Sequence, residues 1–340
     1  MHVKHSSGVI IVDKPKGVTS HDVVAACRGL LHTKKVGHAG TLDPMATGVL
    51  VIGFGAATRL LNSLVGASKT YETTIRLGAT STTDDADGDI THTLEADVTT
   101  ITREDIERAI AEHLTGDILQ VPSTYSAKKV HGQRAYDLAR NGQDVQLDAN
   151  PVTIEDFTVT DVRCVDESES TYLDVDATVT CSAGTYIRAL GRDLGELLHV
   201  GGYLTMLRRT RVGMFDADSQ KTIRMTAQSY EFTQKDGEVV QRTKAQASKE
   251  LKENEEELAE KVILPADAAR AVLPVRELTA QQAVDICFGR PLKTSVKTLT
   301  AALYRGQLMA LVEPWKPNLA KPSTVFMTAE ELARLATQTA

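Results

Sequence analysis

Hydrophobic residues recur along this chain with two periods, one typical of strands and one typical of helices. Apolar runs over residues 8–12 and 47–52 predict short buried strands. Polar and apolar residues alternate over residues 69–77 and 171–181, which predicts strands that each bury one face. These four segments are the clearest strand signals in the first two thirds of the chain.

Helical periodicity follows residues that are suited to capping a helix. Thr19 or Ser20 is placed to cap a helix that runs to about Leu31, and Thr102 is placed to cap one that runs to about Leu114. Residues 56–64 also have a helical pattern. A further helix is predicted to follow Gly184-Thr185-Tyr186, because its apolar residues recur on one face.

The last third of the chain has a different character. Residues 249–261 consist mainly of Lys and Glu and predict a charged helix or linker in contact with solvent. After about Leu273, a helix over residues 281–288 and strands over 301–304 and 308–312 predict a small α+β module. A length of 340 residues exceeds what one core usually holds, so two domains are expected.

The loop Gly37–Leu50 combines three glycines, one proline and a single carboxylate, Asp43. Glycine permits positive φ, while proline fixes its own φ and keeps the preceding residue extended. Asp43 therefore lies on a rigid loop that leads into a buried strand, a common position for a reacting group. The alternative is that Asp43 only caps a turn before Pro44, and the loop alone leaves both interpretations open.

The net charge of −7 disfavours a nucleic-acid partner, but the charges are unevenly distributed. Residues 1–40 carry six Lys or Arg against two acids, residues 123–142 four against one, and residues 184–213 five against two. The acids concentrate over residues 81–107 and 144–176. Because a polyanion responds to the patch that faces it, this distribution is compatible with RNA binding.

Several features bound the environment of the protein. The four cysteines are far apart and include no C-x-x-C pair, which argues against a zinc site or disulfide framework. The N-terminus lacks the apolar region of a signal peptide, and no apolar run has the length of a membrane span. The acidic run Asp84–Asp89 places its glycine too early for a calcium loop, so no metal site is predicted there, and the run is instead expected to form a turn that braces the Asp43 loop. A cytoplasmic protein is expected.

The segment GHAGTLDPMATG, which begins at Gly37, closely resembles the catalytic motif of the TruB family of tRNA pseudouridine synthases. Further matching segments follow the family order, at residues 12–20, 69–72, 85–88, 121–127, 184–188 and 207–209. Together they extend over about residues 8–213. The resemblance implies an α+β fold with a mixed, mostly antiparallel β-sheet catalytic core flanked by helices, followed by a small C-terminal PUA-like module.

The resemblance also implies a division of the chain into three parts. A catalytic domain is expected over residues 1–215, with a thumb-like RNA-binding segment at about 122–146. A charged helical insertion or linker is expected over residues 216–272. A PUA-like RNA-binding domain is expected over residues 273–340, on the basis of its position alone.

By the same resemblance, Asp43 is the catalytic carboxylate and Tyr71 stacks on the flipped target base. Tyr186 corresponds to the second tyrosine of the active site, and Leu207 to an apolar wall of the pocket. His38 corresponds to the family histidine that occupies the place vacated by the base. Without the resemblance, the strand pattern favours an ordinary core aromatic as the interpretation of Tyr71.

Arg188 is singled out by its position as well as by the resemblance. It falls in the first turn of a predicted helix, where the helix dipole disfavours a cation, so an anionic partner is expected. Asp43 is the candidate. The alternative is an arginine on the helix surface.

A set of cations is predicted to bind RNA; it comprises Lys14, Lys128, Lys129, Arg134, Arg140, Arg208 and Arg209. Basic and aromatic residues are mixed over residues 122–142, which suits an RNA backbone with splayed bases. The alternatives are a basic helix face in contact with solvent and, for Lys14, a solvated turn.

Pseudouridine formation breaks the N1–C1′ bond of a uridine, turns the base and joins C5 to C1′. The base never leaves, so no cofactor, metal or redox group is expected. The resemblance implies the T-arm of tRNA as partner, the uridine at position 55 of the T-loop as target, and a monomeric enzyme without a membrane partner.

Two other functions compete with this one. A pseudouridine synthase for ribosomal RNA is the alternative within the same class, and a non-catalytic RNA-binding factor is the alternative from another class. A glycosidase would need two carboxylates about 5–10 Å apart, and the central loop carries only one, so that function is set aside.

The basic segment at 122–146 gives a first prediction. If Lys128 and Lys129 each contact a phosphate, Lys128→Ala with Lys129→Ala flattens the slope of log K against log salt by roughly 1 to 2 units. The measurement is tRNA binding across a salt series. Lys249→Ala with Lys252→Ala removes the same charge from the predicted solvated segment and serves as the control. An unchanged slope for the first pair means that its basic face meets only solvent.

Overall fold

The computed structural model describes the 340-residue chain over residues 5–93, 97–123, 129–130, 133–134, 147–167, 170–234 and 237–337. The strands in these ranges are β1 (Gly8–Lys14), β2 (Val36–Ala39), β3 (Thr47–Phe54), β4 (Lys69–Leu77), β5 (Ala79–Ser81), β6 (Ile90–His92), β7 (Gly116–Gln120), β8 (Lys129–Val130), β9 (Gln133–Arg134), β10 (Asn150–Glu167), β11 (Ser170–Cys181), β12 (Gly202–Val212), β13 (Phe215–Asp216), β14 (Thr222–Thr233), β15 (Val239–Ala247), β16 (Val275–Glu277), β17 (Thr300–Tyr304), β18 (Gln307–Lys316) and β19 (Leu319–Val325).

The helices in the same ranges are α1 (Ser20–Leu30), α2 (Leu61–Val65), α3 (Arg103–His113), α4 (Ile187–Leu197), α5 (Lys249–Glu253), α6 (Glu255–Lys261), α7 (Pro265–Arg270), α8 (Ala280–Cys287) and α9 (Ala329–Thr337). Short 3-10 helices cover Gly55–Leu60 and Val98–Thr100.

The chain divides into two compact units, each assembled from separated segments. The first unit comprises Met1–Leu42, Leu50–Ala67 and Gly213–Ala340, and the second comprises Asp43–Val49 and Ser68–Val212. The residue that begins the second unit is Asp43.

The first unit contains the strand order β15-β14-β1-β3, with β2 antiparallel to β3. Strand β1 runs parallel to β14, and α1 begins after Thr19 because Thr19 and Asp22 form a capping box. A buried cluster joins these elements; its members include Ile10, Val23, Cys27, Leu50, Ile52, Ile223 and Met225. The predicted β1 and α1 are therefore confirmed.

The segment 216–272 differs from the charged helical insertion that was expected. It contains the two long strands β14 and β15 as well as helices α5 and α6, and those helices bury Leu251 and Leu258 in the first-unit cluster. Sequence periodicity missed the strands because most of β14 and β15 is exposed, so polar residues occupy both faces. The limits of the predicted domains stay a prediction.

The chain after residue 273 forms a second cluster within the first unit. Its sheet has the order β16-β17-β18-β19, and α8 begins with a capping box between Thr279 and Gln282. The cluster is built from residues that include Ala283, Ile286, Ala302, Met309 and Val312. The predicted α+β module is present, and its PUA-like character stays a prediction.

The second unit is built on a mixed, mostly antiparallel sheet. The first residues of β3 pair in parallel with β12, and the order then runs β12-β4-β11-β10-β7 with antiparallel neighbours. The strands predicted from alternation, β4 and β11, lie side by side with Ile75 opposite Val175. Helices α3 and α4 belong to this unit, so the predicted α+β class with a mostly antiparallel sheet is confirmed.

Two negative findings apply to the described part of the chain. None of its helices has both the length and the apolar character needed to cross a membrane. Within the same residues, no three His, Cys, Asp or Glu side chains form a group that could hold a metal ion.

Gly48 marks the tightest backbone approach in the second unit. It lies opposite Arg209 where β3 pairs with β12, and its φ is +102°. A Cβ at this position would lie 2.1 Å from the carbonyl oxygen of Arg209. Only glycine fits both the φ value and the space.

Gly48→Ala is expected to lower the free energy of unfolding by at least about 1–3 kcal/mol, because it adds backbone strain and a backbone clash. The measurement is chemical or thermal unfolding. Gly29→Ala in α1 is the matched control, since a Cβ there meets nothing within 4 Å. It is expected to stabilise the chain by about 0.5–1 kcal/mol through helix propensity. Equal midpoints for the two variants would contradict the packing argument.

Candidate active site

The loop that carries Asp43 is held by hydrogen bonds to its backbone on both sides of this residue. In the first unit, the hydroxyl of Ser20 donates to the carbonyl oxygen of Leu42 (3.0 Å) and accepts from its N–H (2.9 Å). In the second unit, the N–H of Ala46 donates to the carbonyl oxygen of Asp43 (3.1 Å). The rigid loop predicted from glycine and proline is therefore fixed by specific contacts.

The carboxylate of Asp43 forms an ion pair with Arg188. The Nε atom of Arg188 lies 3.0 Å from Oδ2 of Asp43, as the dipole argument predicted. The side chain of Arg188 is 5% exposed, whereas that of Asp43 is 37% exposed. The guanidinium thus belongs to the interior of the unit, and the carboxylate remains accessible from outside.

The turn that precedes β6 also contacts the guanidinium of Arg188. Its Nη1 atom donates to the carbonyl oxygen of Thr83 (2.7 Å) and lies 3.3 Å from Oδ2 of Asp85. Ser123 also accepts from Nη1, at 3.3 Å. Asp85 is itself fixed, because it accepts from the Thr83 hydroxyl (2.6 Å) and from the N–H of Asp87 (3.1 Å).

Asp85, Thr83 and Ser123 were not among the predicted site residues. The sequence did indicate that the Asp84–Asp89 turn braces the catalytic loop, and the structure shows that its direct contact is with Arg188. The available signal was the acidic turn itself, because any of its carboxylates that becomes buried needs a cation or hydrogen-bond donors beside it. Only the fold supplies the partner, since residues 85 and 188 are far apart in sequence.

Tyr71 lies in β4 and is almost fully buried. Burial raises the pKa of the Tyr71 phenol above its usual value, and a hydrogen bond with Arg209 acts in the opposite direction. The phenol is therefore neutral at physiological pH. Close by in the same unit, burial and repulsion by Arg209 lower the pKa of Lys69 to about 8.

Tyr186 precedes α4 and is positioned through its backbone. The side-chain amide of Gln120 accepts from the Tyr186 N–H (2.8 Å) and donates to the Tyr186 carbonyl oxygen (3.0 Å). Gln120 is buried, and this bidentate contact fixes the start of the helix that carries Arg188. Leu207 is buried in β12, and Tyr186 is half-buried.

The structure corrects two of the predicted RNA contacts. Lys14 is fully buried, and its ammonium donates to the carbonyl oxygens of Pro15 (3.0 Å) and Val18 (2.7 Å). Arg209 is 1% exposed, and its Nε atom donates to the carbonyl oxygen of Val49 (2.8 Å). Both cations stabilise interior backbone and are not accessible to phosphate in this structure.

The other predicted residues are distributed over both units. His38 lies in β2 of the first unit, where its ring makes an edge contact with His21 at a centroid distance of 5.8 Å. Arg208 is half-buried in β12. Lys129 and Arg134 pair across β8 and β9, while Lys128 and Arg140 lie outside the described residues.

Solved structures share this fold. A chain in the crystal structure of a Cbf5-Nop10-Gar1 complex superposes with a TM-score of 0.67 at 24% identity, over 96% of this chain and 87% of that chain. A chain in the structure of an H/ACA RNP bound to a substrate RNA containing 2′-deoxyuridine gives 0.65 at 23% identity, over 94% and 85%. At these identities the likeness defines the fold class.

The sequence matches two family profiles that adjoin one another. Residues 28–187 match the TruB family pseudouridylate synthase N-terminal domain, and residues 188–270 match the tRNA pseudouridylate synthase B C-terminal domain. The first profile includes Asp43 and Tyr71, and the second begins at Arg188.

Relatives named tRNA pseudouridine synthase B align over most of the chain. The Bifidobacterium longum (strain DJO10A) protein is 45% identical, over 95% of this chain and 98% of the relative. The Arthrobacter sp. (strain FB24) protein is 46% identical, over 96% and 98%. The Mycobacterium sp. (strain KMS) protein is 59% identical over 62% of this chain and 69% of the relative. The chain belongs to the TruB family of pseudouridylate synthases.

Asp85→Asn tests whether the turn behind Arg188 positions the active site. Because the amide removes one of the two carboxylates that orient the guanidinium, kcat is expected to fall roughly 10- to 100-fold with little change in RNA affinity. The measurements are single-turnover kinetics and RNA binding. Asp89→Asn, in the same turn but exposed, removes the same charge and is expected to leave kcat unchanged. Equal kcat values for both variants would show that Asp85 has no such role.

Proposed function

We propose that this enzyme converts the uridine at position 55, in the T-loop of tRNA, to pseudouridine, with Asp43 as the catalytic carboxylate. The substrate class is supported by the relatives, whose names specify tRNA, and by their alignment over nearly the whole chain. The observation that carries the catalytic assignment is the accessible Asp43 carboxylate held 3.0 Å from a buried arginine.

The reaction keeps all the non-hydrogen atoms of the uridine. The N1–C1′ bond breaks, the base turns within the pocket, and C5 forms the new bond to C1′. The C5 proton leaves, and N1 gains a proton. A carboxylate assists by attacking carbon or by accepting a proton, and both roles need an ionised, oriented oxygen.

Arg188 orients the Asp43 carboxylate and places a positive charge beside it. The guanidinium is always charged, and its interior position keeps the opposite charge beside the carboxylate when RNA covers the site. Exclusion of water by the RNA strengthens this interaction, because the effective dielectric constant falls. Asp85 and Thr83 prevent the arginine from following the substrate outward.

The target base must leave its stack before the glycosidic bond is accessible, so base flipping is part of the proposal. Tyr71 provides a neutral aromatic face on which the uracil stacks, and Leu207 forms an apolar wall. Tyr186 assists proton transfer. His38 fills the place that the base vacates.

Because Lys14 and Arg209 are buried, phosphate contacts are proposed for the other predicted cations, which are Lys128, Lys129, Arg134, Arg140 and Arg208. They are proposed to bind the T-arm, with the enzyme acting as a monomer in the cytoplasm. The ribosomal RNA alternative predicts modification of that RNA in preference to tRNA. The non-catalytic alternative predicts binding without pseudouridine.

The experiment uses unmodified tRNA carrying tritium at C5 of uridine, because product formation releases that hydrogen to water. Wild-type protein is expected to release one equivalent from position 55, and tRNA with cytidine at that position is expected to release none. Ribosomal RNA tested in parallel decides the substrate class. Binding of tRNA without tritium release would reject the enzymatic proposal.

Asp43→Asn is expected to lower turnover by more than about 100-fold while tRNA affinity stays near that of the wild type. The amide keeps the shape of the carboxylate but cannot act as nucleophile or base. Single-turnover tritium release and equilibrium binding are the two measurements. Activity within tenfold of the wild type would remove Asp43 from the catalytic role.

A further inference from the structure

The hairpin formed by β14 and β15 has no part in the catalytic proposal. Its pairing is regular, with Thr226 opposite Gln246, Tyr230 opposite Arg242 and Thr233 opposite Val239. Because directly opposed residues share a face, the register sorts the side chains into two faces. Strand β15 is also the last strand in its sheet order.

One face of the hairpin is packed at its base. Met225, Ala245 and Ala247 lie on this face and belong to the buried cluster of the first unit. The same face carries Glu231, whose carboxylate accepts from the side-chain amide of Gln241 at 3.4 Å. We call this the packed face.

The other face, here called the basic face, is mostly exposed. Its residues are Arg224, Thr226, Gln228, Tyr230 and Phe232 from β14 with Val240, Arg242, Lys244 and Gln246 from β15. They include three cations and two aromatic rings, and none of these nine described residues is acidic. The strand register therefore places the three cations on the basic face and Glu231 on the packed face.

Two of the three cations of the basic face contact its aromatic rings. The guanidinium carbon of Arg242 lies 4.1 Å from the ring centre of Phe232, and the ammonium of Lys244 lies 5.3 Å from that of Tyr230. Both rings remain more than a third exposed. Holding a long cationic side chain in place reduces the entropy that it loses on binding an anion.

We propose that the basic face of the β14–β15 hairpin binds RNA, with Arg242 and Lys244 on phosphates and Tyr230 and Phe232 stacked against an unpaired base. This combination of exposed rings and cations is how proteins hold single-stranded nucleic acid without reading its sequence. The inference rests on the proposed function because it assumes that the substrate is RNA. It adds a binding surface separate from the residues assigned to catalysis.

A purely structural role for the same residues makes a different prediction. Long, regular edge strands invite pairing with another chain, and cations on such strands oppose it. If Arg242 and Lys244 serve only that purpose, their removal produces dimers or aggregates and leaves RNA affinity unchanged. Oligomeric state must therefore be measured beside RNA binding.

The test uses the full-length protein and an unmodified tRNA transcript. Arg242→Ala with Lys244→Ala is expected to weaken binding roughly tenfold or more at 100 mM salt and to flatten the salt slope by roughly 1.4 to 1.8 units. Lys221→Ala with Lys249→Ala removes the same charge from exposed positions off this face and is expected to leave both quantities unchanged.

The rings are tested separately. Tyr230→Leu with Phe232→Leu keeps apolar volume but removes stacking, and it is expected to weaken binding about fivefold or more without changing the salt slope. Thermal unfolding and sedimentation confirm that each variant is folded and monomeric. If a ring variant loses its fold, ultraviolet cross-linking of wild-type protein to RNA, mapped to residues 230–244, gives the same information.

Three results would overturn the proposal: unchanged RNA affinity in both hairpin variants, an equal loss in the Lys221 and Lys249 control, or association of the chains with unchanged affinity. Tritium release at saturating tRNA distinguishes failure of the hairpin proposal from failure of the proposed function. The hairpin variants are expected to raise KM and keep kcat, whereas an inactive wild-type protein would reject the function and leave the binding result standing.

Discussion

A guanidinium cannot give up its charge inside a protein, so the burial of Arg188 requires acceptors around it. Asp43, Asp85, Thr83 and Ser123 meet this requirement, and they come from three separate stretches of the chain. Removing one partner would leave a buried charge incompletely paired, which is costly. The loop that carries Asp43, the acidic turn and helix α4 are thus connected through the side chain of Arg188.

A second constraint is the close approach of two backbones at Gly48 and Arg209. Because Gly48 has no Cβ, β3 and β12 can approach each other closely at this point. The Arg209 side chain then reaches the carbonyl oxygen of Val49. The same guanidinium hydrogen-bonds Tyr71. A residue predicted to meet phosphate therefore organises the interior beside the candidate site.

Charge in this protein is organised locally. The net charge of −7 gives no sign of an RNA partner, yet the strand register of the β14–β15 hairpin places three cations on the face opposite Glu231. A negative total charge limits non-specific attraction to polyanions, while such a face still attracts them at short range. Lys14, by contrast, is buried and cannot attract a polyanion, because its ammonium donates hydrogen bonds to backbone carbonyl oxygens.

A continuous apolar run predicted β1, alternation of polar and apolar residues predicted β4 and β11, and helical periodicity after a capping threonine predicted α1 and α3. The motif around Asp43 identified the family, and the helix dipole indicated an anionic partner for Arg188. Tertiary structure alone decided that Asp85 contacts Arg188 and Gln120 contacts Tyr186, that Lys14 and Arg209 are interior, and that residues 222–247 form a hairpin. The reason is physical: burial, ion pairing and strand register depend on which distant segments meet, and a sequence pattern reports only on its own neighbours.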